Sequence, residues 1–219
     1  NVTTKKIGIE SKKKEFIRSE KLIVNGTVSA ASTASSGLTT STYMGLRVQD
    51  DEISLNLPDV VEVIAVYESL NASAPTLDSL TFPSGLNLDT SSILGEKIVG
   101  STSGALAQIV TRSSATKVEI VYLNSSKFIV GEICTFEESS ITSVLQVIGN
   151  GNFQDITQNY GLDKGQREQF YDYSRIVRRV NFPPATRKVL VVFDKYVLPS
   201  NDTGDFYTVA SYDEERFSS

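Results

Sequence analysis

Residues 156–217 carry the strongest fold signal in the chain and read ITQNYGLDKGQREQFYDYSRIVRRVNFPPATRKVLVVFDKYVLPSNDTGDFYTVASYDEERF. Residues 189–196 form an apolar, β-branched run, which predicts a strand. Residues 171–180 alternate tyrosine, arginine and isoleucine as a half-buried strand does. Pro183 and Pro184 force a turn between the two strands. The stretch therefore indicates a mainly β fold.

Two other segments of this stretch have weaker signals. Residues 163–170 are compatible with one short helical turn capped by Asp163, although Gly165 inside it disfavours a helix. Residues 206–212 predict another strand. The preceding residues 201–205 (NDTGD) offer oxygen ligands for calcium but lack the spacing and distal glutamate of an EF-hand loop. A β-turn with Asx capping is the preferred interpretation there.

The N-terminal part, residues 1–90, predicts a β region. Asn25 and Gly26 form a strong two-residue hairpin signal. Residues 30–42 are small, polar and without period, which predicts a flexible loop that becomes ordered on assembly. Residues 60–67 (VVEVIAVY) are almost continuously apolar, as expected of a central strand covered on both faces.

The central part, residues 91–148, predicts a small β-barrel or sandwich module, followed by a C-terminal β segment at 149–219. Short strands recur between Gly/Ser turns; they cover 96–99, 105–111, 117–123, 132–137 and 143–148. An internal echo links 93–110 to 129–148, since both have a Gly-Glu step and a Ser-rich turn. Its offset drifts from 36 to 38 residues, which favours two similar hairpins over a proven duplication.

Composition excludes several classes of function. The chain has 219 residues, a net charge of −5 and 40% hydrophobic residues, which support real cores but not a basic nucleic-acid groove. It has no histidine, the commonest general base and a frequent metal ligand. The single cysteine, Cys134, forms neither an internal disulfide nor a thiolate zinc site and is expected to be buried and inert. No run of about 18 apolar residues predicts a membrane span, and no secretory signal is recognisable.

A set of residues in the C-terminal third matches a known class of proteins: Leu162-Asp163, Gly165-Gln166-Arg167, Tyr171-Asp172-Tyr173, Arg175, the run 189–194 and Gly204-Asp205-Phe206. This pattern resembles large virion structural proteins of tailed phages, namely long baseplate and tail-fibre-associated proteins of T4-like phages of marine bacteria. The line GE…G-x-TSGA-x-A at 95–107 more weakly resembles modules of phage fibre and baseplate proteins. In the resembled family the equivalent region lies inside a longer polypeptide, so we expect a fragment.

The resemblance implies a virion structural protein that acts as a scaffold in the tail, the baseplate or the tail-fibre attachment region. We expect it to be located in the virion after assembly in the host cytoplasm, with other virion proteins or further copies of itself as partners. Exposed strand edges and the loop 30–42 would complete sheets with those partners. We expect no enzymatic activity, no cofactor or metal, no nucleic-acid partner and no membrane insertion.

The candidate interface and loop-ordering residues come from this pattern. They are Asp163, Gln166, Arg167, Tyr171, Asp172, Tyr173 and Arg175. One interpretation is a carboxylate pair acting on a glycosidic bond beside sugar-stacking tyrosines. The preferred one is a polar network in which arginines pair with aspartates and fix an irregular loop against the sheet.

The alternative function is a receptor-binding module for host surface polysaccharide, which predicts a shallow groove lined by tyrosines and carboxylates. In the scaffold interpretation, large interfaces would explain scattered exposed aromatic residues, and the candidates are Tyr171, Tyr173, Tyr207 and Tyr212. The short basic run Lys12, Lys13 and Lys14 is expected to be a solvated strand edge.

Overall fold

The computed structural model describes residues 10–25, 47–88, 93–200, 204 and 206–212. Regular structure in this part is nearly all β, as predicted, and two short 3-10 helices occur at Thr157–Asn159 and Val209–Ser211. Fourteen strands lie within the described residues. In chain order they are β1 (Glu15–Val24), β2 (Glu52–Ser54), β3 (Val60–Ser69), β4 (Asp78–Thr81), β5 (Lys97–Gly100), β6 (Leu106–Ser114), β7 (Lys117–Tyr122), β8 (Ile133–Phe136), β9 (Thr142–Val144), β10 (Val147–Gly149), β11 (Phe153–Asp155), β12 (Tyr160–Asp163), β13 (Arg175–Arg178) and β14 (Val189–Val197).

A β-sandwich is built from both ends of the described chain. One sheet has the strand order β1-β14-β3-β11 and the other the order β12-β13-β2. The predicted strands at 60–67 and 189–196 are confirmed as the two inner strands of the first sheet, β3 and β14. Their apolar side chains pack with Ile53 and Ile176 of the second sheet, which closes the sandwich core.

The middle of the chain forms a curled sheet with the order β10-β4-β7-β6-β5-β8-β9. Its outer strands β9 and β10 are joined by only Leu145 and Gln146. The Leu145 N–H donates to Glu132 O and the Gln146 N–H donates to Thr81 O, both at 2.9 Å. These bonds draw the two edges together into a half-barrel with an apolar interior, where the Phe82 and Phe136 rings lie 5.5 Å apart. The predicted small module is thus confirmed as curled antiparallel sheet.

The sandwich and the half-barrel pack through a shared apolar layer. Its buried members are Ala65, Tyr67, Leu77, Val110, Val121, Leu190 and Val192. A polar group borders this layer: Asp194 accepts the Ser19 N–H at 2.8 Å, and the Gln108 side chain donates to the Ser19 hydroxyl at 2.9 Å. Burial raises the pKa of Asp194. The residues that join the two parts therefore come from β1, β3 and β14 of the sandwich and from β6, β7 and the segment before β4 of the half-barrel.

Strand pairing divides the chain differently from the boundaries expected near 90 and 149. Strand β4, at Asp78–Thr81, pairs with β7 and so belongs to the half-barrel, not to an N-terminal region. Strand β14 pairs with both β1 and β3, which merges the N-terminal and C-terminal segments into one sandwich. Such pairings join residues far apart in sequence, where local pattern carries no signal. The predicted loop 30–42 and Gly26 of the predicted hairpin lie outside the described residues.

The internal echo corresponds to a local two-fold arrangement with a constant offset of 36 residues. The Gly95 N–H donates to Ile109 O and the Gly131 N–H donates to Leu145 O, both at 2.8 Å. Strands β5 and β8 pair with Val99 opposite Thr135, which are themselves 36 positions apart. The two hairpins are therefore related by a pseudo-two-fold axis through that pair.

Each hairpin supplies a buried glutamate to the turn of the other. Glu132 accepts the N–H groups of Thr102 and Ser103 at 3.0 and 2.9 Å. Glu96 accepts the N–H groups of Glu138 and Ser139 at 2.7 and 2.5 Å. Carboxylates that accept backbone N–H groups are held strongly, since the charge assists the hydrogen bond. These hydrogen bonds hold the two hairpins together.

The hydrogen bonds that Glu132 accepts also lower the pKa of its carboxyl group. Burial on its own would raise the pKa of this carboxyl group, but the N–H groups of Ser103, Ile129 and Thr102 outweigh it and hold the pKa below its ordinary value. The carboxylate stays charged because its hydrogen-bond donors favour the ionised form.

The equivalent glycines Gly95 and Gly131 offer a matched test of how β1 packs on the half-barrel. Both have positive φ, at 76° and 93°. A Cβ at Gly95 would overlap the Arg18 side chain of β1, whereas one at Gly131 would meet no atom of the described residues within 4 Å. We expect Gly131→Ala to cost about 1 kcal/mol of unfolding free energy, from backbone strain alone. Gly95→Ala should cost roughly 2–4 kcal/mol, since overpacking adds to the strain. Urea unfolding of both variants measures the difference, and equal costs would contradict the packing argument.

Candidate functional site

The sequence-predicted site residues lie on and beside the loop that joins β12 to β13, residues 164–174. The loop continues the antiparallel pair instead of forming the helical turn considered for 163–170, and that prediction is wrong. Gly165 has a φ of 81°, outside the helical region, and a Cβ there would overlap the backbone oxygen of Asp172. Gln166 and Tyr171 form a β-bridge, and the Asp163 carboxylate accepts the Gly165 N–H at 2.9 Å.

The arginines and aspartates of this loop are paired, as the preferred interpretation expects. Arg167 donates to both carboxylate oxygens of Asp163, at 3.1 and 2.8 Å. Arg175 is ion-paired with Asp172 and donates to Glu52 of β2 at 2.8 Å. The hydrogen bond from Arg167 is the main reason that the pKa of Asp163 falls to about 2. This network fixes the loop against the three-stranded sheet.

Glu52 is the member of the network that sequence reasoning missed. It lies more than a hundred positions before Arg175, and the pairing of β2 with β13 brings the two together. No local pattern marks it, because a short acidic run such as Asp50-Asp51-Glu52 is common on protein surfaces.

The aromatic members of the candidate set are exposed at the surface of this loop. Tyr171 and Tyr173 are 54% and 51% exposed, and Gln166 is also exposed. The predicted strand at 171–180 is confirmed only over Arg175–Arg178. The loop thus presents its tyrosines on an ion-paired frame.

A second group of aromatic residues surrounds Lys14. Its ammonium group is ion-paired with Asp59 and donates to the Tyr212 hydroxyl at 2.8 Å. It also lies over the rings of Tyr207 and Tyr212, 5.0 and 4.5 Å from their centroids. The prediction that the basic run is a solvated edge is therefore wrong for Lys14, whose side chain is only 10% exposed. The ion pair with Asp59 and the contacts with two aromatic rings offset the desolvation cost of burying this ammonium group.

Tyr171 connects this group to the loop between β12 and β13. Partial burial is the main cause of its raised pKa, and the nearby charge of Asp59 contributes next. We define the aromatic surface as Tyr171, Phe206, Tyr207 and Tyr212. Of these, Phe206 and Tyr207 are 43% and 52% exposed. Residues 206–212 do not form the predicted strand: Phe206 makes one β-bridge with Ser11, and Val209–Ser211 turns into a 3-10 helix.

A cleft of about 720 Å³ opens beside the first half of β3. Its lining residues come from β3, β12 and the segments next to them: Val61, Glu62, Val63, Asp155, Thr157, Gln158, Tyr160, Gly161, Leu162, Ile176 and Arg179. Two carboxylates, an amide and a guanidinium thus border an apolar floor, a combination that suits a polar ligand with apolar faces. Sequence reasoning missed the cleft because it forms only where two sheets meet.

The remaining predictions concern metal, thiol and membrane chemistry. The prediction that Cys134 is buried is confirmed, and burial raises the pKa of its thiol to about 12, which disfavours the reactive thiolate. No cluster of three His, Cys, Asp or Glu side chains suited to a metal occurs in the described part of the chain. The calcium candidate at 201–205 lies outside the described residues apart from Gly204. Among the described residues we find no helix with the length and apolarity of a membrane span.

No protein-family model, no curated protein and no solved structure matches this chain.

The Asp163–Arg167 pair predicts a specific acid sensitivity. A carboxyl group with a lowered pKa stabilises the fold above its ordinary pKa of 3.8, and this contribution is lost as the pH falls towards about 2. Asp163→Asn removes the pair, so the variant should lose about 1 kcal/mol at pH 7 and show a smaller decrease in stability over that range. Urea midpoints from pH 5 to pH 2, compared with wild type, measure the effect. Glu137→Gln, at an exposed carboxyl, is the control, and parallel curves for wild type and Asp163→Asn would contradict the prediction.

Proposed function

We propose that this chain is a structural protein of a phage virion, part of a longer polypeptide that acts as a scaffold in the tail, the baseplate or the tail-fibre attachment region. The observation that carries the proposal is the agreement between the virion-like pattern and the loop geometry. Asp163, Gly165, Arg167, Asp172 and Arg175 belong to that pattern, and each has a defined part in holding the β12–β13 loop. The pattern therefore describes a rigid support for exposed side chains.

The scaffold would act by presenting prearranged surfaces to its neighbours. Tyrosine is enriched where protein interfaces are strongest, since it offers a large contact area with few rotatable bonds. Tyr171 and Tyr207 are more than half exposed, yet the structure beneath them is fixed by ion pairs. Binding through such residues loses little conformational entropy. The partners would be other virion proteins or further copies of the chain.

This role requires no chemical step, and we propose that the chain is not an enzyme, needs no cofactor and binds no nucleic acid. It would be assembled in the host cytoplasm and located in the virion. Release of reducing sugar from host capsule by the purified chain would overturn the non-enzymatic assignment.

Cross-linking mass spectrometry on intact virions tests the scaffold role. Lysines that border the aromatic surface, Lys12 and Lys13, should cross-link to tail or baseplate proteins, because the surface is proposed to be covered there. Lys117, in the distant β6–β7 hairpin, is the internal control and should cross-link less to other chains. Absence of the chain from purified virions would overturn the proposal.

A second candidate function, recognition of a host surface polysaccharide, is favoured by the cleft beside β3. Glu62, Asp155 and Arg179 could bind sugar hydroxyl groups there. If this function holds, a glycan array should give binding in the millimolar to micromolar range, and Glu62→Gln should weaken it by about tenfold through loss of a charged hydrogen bond. Glu137→Gln, at an exposed carboxyl outside the cleft, is the matched control and should leave glycan binding unchanged. A blank array would exclude this function for the glycans tested.

A further inference from the structure

The cleft beside β3 contains a part of that strand which lacks a neighbour on one side. Strand β11 pairs with β3 only over residues 67–69. The segment after β11 reaches one residue further, since the Ile156 N–H donates to Val66 O and the Val66 N–H donates to the Thr157 hydroxyl, both at 2.9 Å. Among the described residues, the stretch 60–65 of β3 therefore has β14 on one side and no strand on the other.

The facing wall of the cleft is also formed by an edge strand. Strand β12 ends the order of the three-stranded sheet, so it is paired only with β13. Residues 61–63 of β3 and 160–162 of β12 both line the cleft. Free strand edges carry N–H and C=O groups without strand partners, and an extended polypeptide satisfies such groups by adding as a further strand. The cleft therefore has the hydrogen-bonding chemistry that suits a polypeptide strand.

A glycine in β12 provides a second indication of a backbone ligand. Gly161 lies inside the strand and lines the cleft, although glycine is unfavourable in strands. A Cβ built at this position meets no atom of the described residues within 4 Å, so the packing of that part of the chain does not require glycine. Glycine inside a strand often lies where another backbone approaches closely, as a strand bound in the cleft would do.

The free edge of β3 is selective. Its register against β14 skips Val61 and Ile64, and such bulges increase the local twist of a strand. Twisted edges are protected from indiscriminate pairing, so this edge suits a partner that fits both its twist and the cleft. Residues 60–65 span roughly 20 Å, which is enough to pair with a segment of about six residues.

The side chains of the cleft predict the composition of that segment. Its floor includes the apolar residues Val63 and Leu162, whereas Glu62 and Asp155 are exposed carboxyls at its border. Burial is the main cause of the raised pKa of Asp194, and the charge of Glu62, its cross-strand partner, raises it further. Like charges in such a pair are unfavourable, and a cation beside Glu62 would relieve the repulsion.

We propose that the cleft binds an extended segment of a neighbouring polypeptide, which adds as a strand to the free edge of β3. Alternate side chains of the segment would be small or β-branched and would face the apolar floor. Of the others, a lysine or arginine would lie beside Glu62. The inference rests on the proposed scaffold function for the source of the segment, another virion protein. Strand binding is measured on the purified chain and the scaffold role on intact virions, so either can fail while the other holds.

Fluorescence anisotropy with a panel of labelled hexapeptides tests the proposal. The panel alternates valine or threonine with lysine, serine or glutamate. We expect the lysine peptides to bind the purified chain with dissociation constants on the order of 100 μM, and the glutamate peptides to bind at least about tenfold more weakly. Peptides with the same side chains but N-methylated backbone amides lose their main-chain donors and should not bind.

Charge reversal in the cleft locates the contact. Glu62→Lys should invert the preference, so that glutamate peptides bind more tightly than lysine peptides. Glu137→Lys, at an exposed carboxyl outside the cleft, is the control and should keep the wild-type preference. Thermal unfolding of both variants checks that the fold is retained.

Three results would overturn the proposal. The first is that no peptide of the panel binds, including the case in which the cleft binds glycans instead. The second is that N-methylated peptides bind as well as unmodified ones, because the main-chain pairing would then be absent. The third is that the folded Glu62→Lys variant keeps the wild-type preference, because the peptides would then bind elsewhere.

Discussion

The placement of β14 between β1 and β3 is the constraint on which the rest of this structure depends. Its nine residues pair with β1 on one side and with β3 on the other, so it joins the two ends of the described chain into one sheet. One of its faces enters the sandwich core, and the other contributes Leu190 and Val192 to the layer shared with the half-barrel. It also carries Asp194, which accepts the Ser19 N–H where β1 is irregular. Loss of this strand would therefore affect both parts of the molecule.

The half-barrel is held together by a different interaction, the exchange of Glu96 and Glu132 between its two hairpins. Each carboxylate takes up backbone N–H groups that a tight turn would otherwise leave to solvent. A buried charge is tolerated there because several donors converge on it. Arg18 links this exchange to the sandwich, since its side chain lies on Gly95 and its guanidinium pairs with Glu138 in a turn that Glu96 holds.

The proposed assembly role rests on a rigid interior combined with loops that carry exposed aromatic residues. The Asp163–Arg167 and Lys14–Asp59 pairs fix two loops that come from distant parts of the chain, and exposed tyrosines lie next to both. The residues that line the cleft beside β3 differ from those of the aromatic surface. The molecule therefore offers two different surfaces, each with its own chemistry, and they can be tested with independent variants.

Sequence pattern alone determined the strands with continuous apolar or alternating side chains. The runs at 60–67 and 189–196 are strands because β-branched residues favour extended backbone and need burial on both faces. It also predicted that arginines pair with aspartates in the β12–β13 loop, since these residues are close along the chain and opposite in charge, and the Arg167–Asp163 pair is one instance. These are local effects, and a single sequence records them directly.

Contacts between residues that are far apart in the sequence follow from the tertiary structure alone. The chain is not divided near 90 and 149, because β4 pairs with β7 and β14 pairs with β1 and β3. Glu52 enters the arginine network and Lys14 is enclosed by tyrosines for the same reason. The helical turn expected at 163–170 gave way to a loop because Gly165 adopts a positive φ. Strand partners are selected by the total burial of apolar surface and by backbone hydrogen bonding over the whole chain, and neither quantity is encoded in any short stretch of residues.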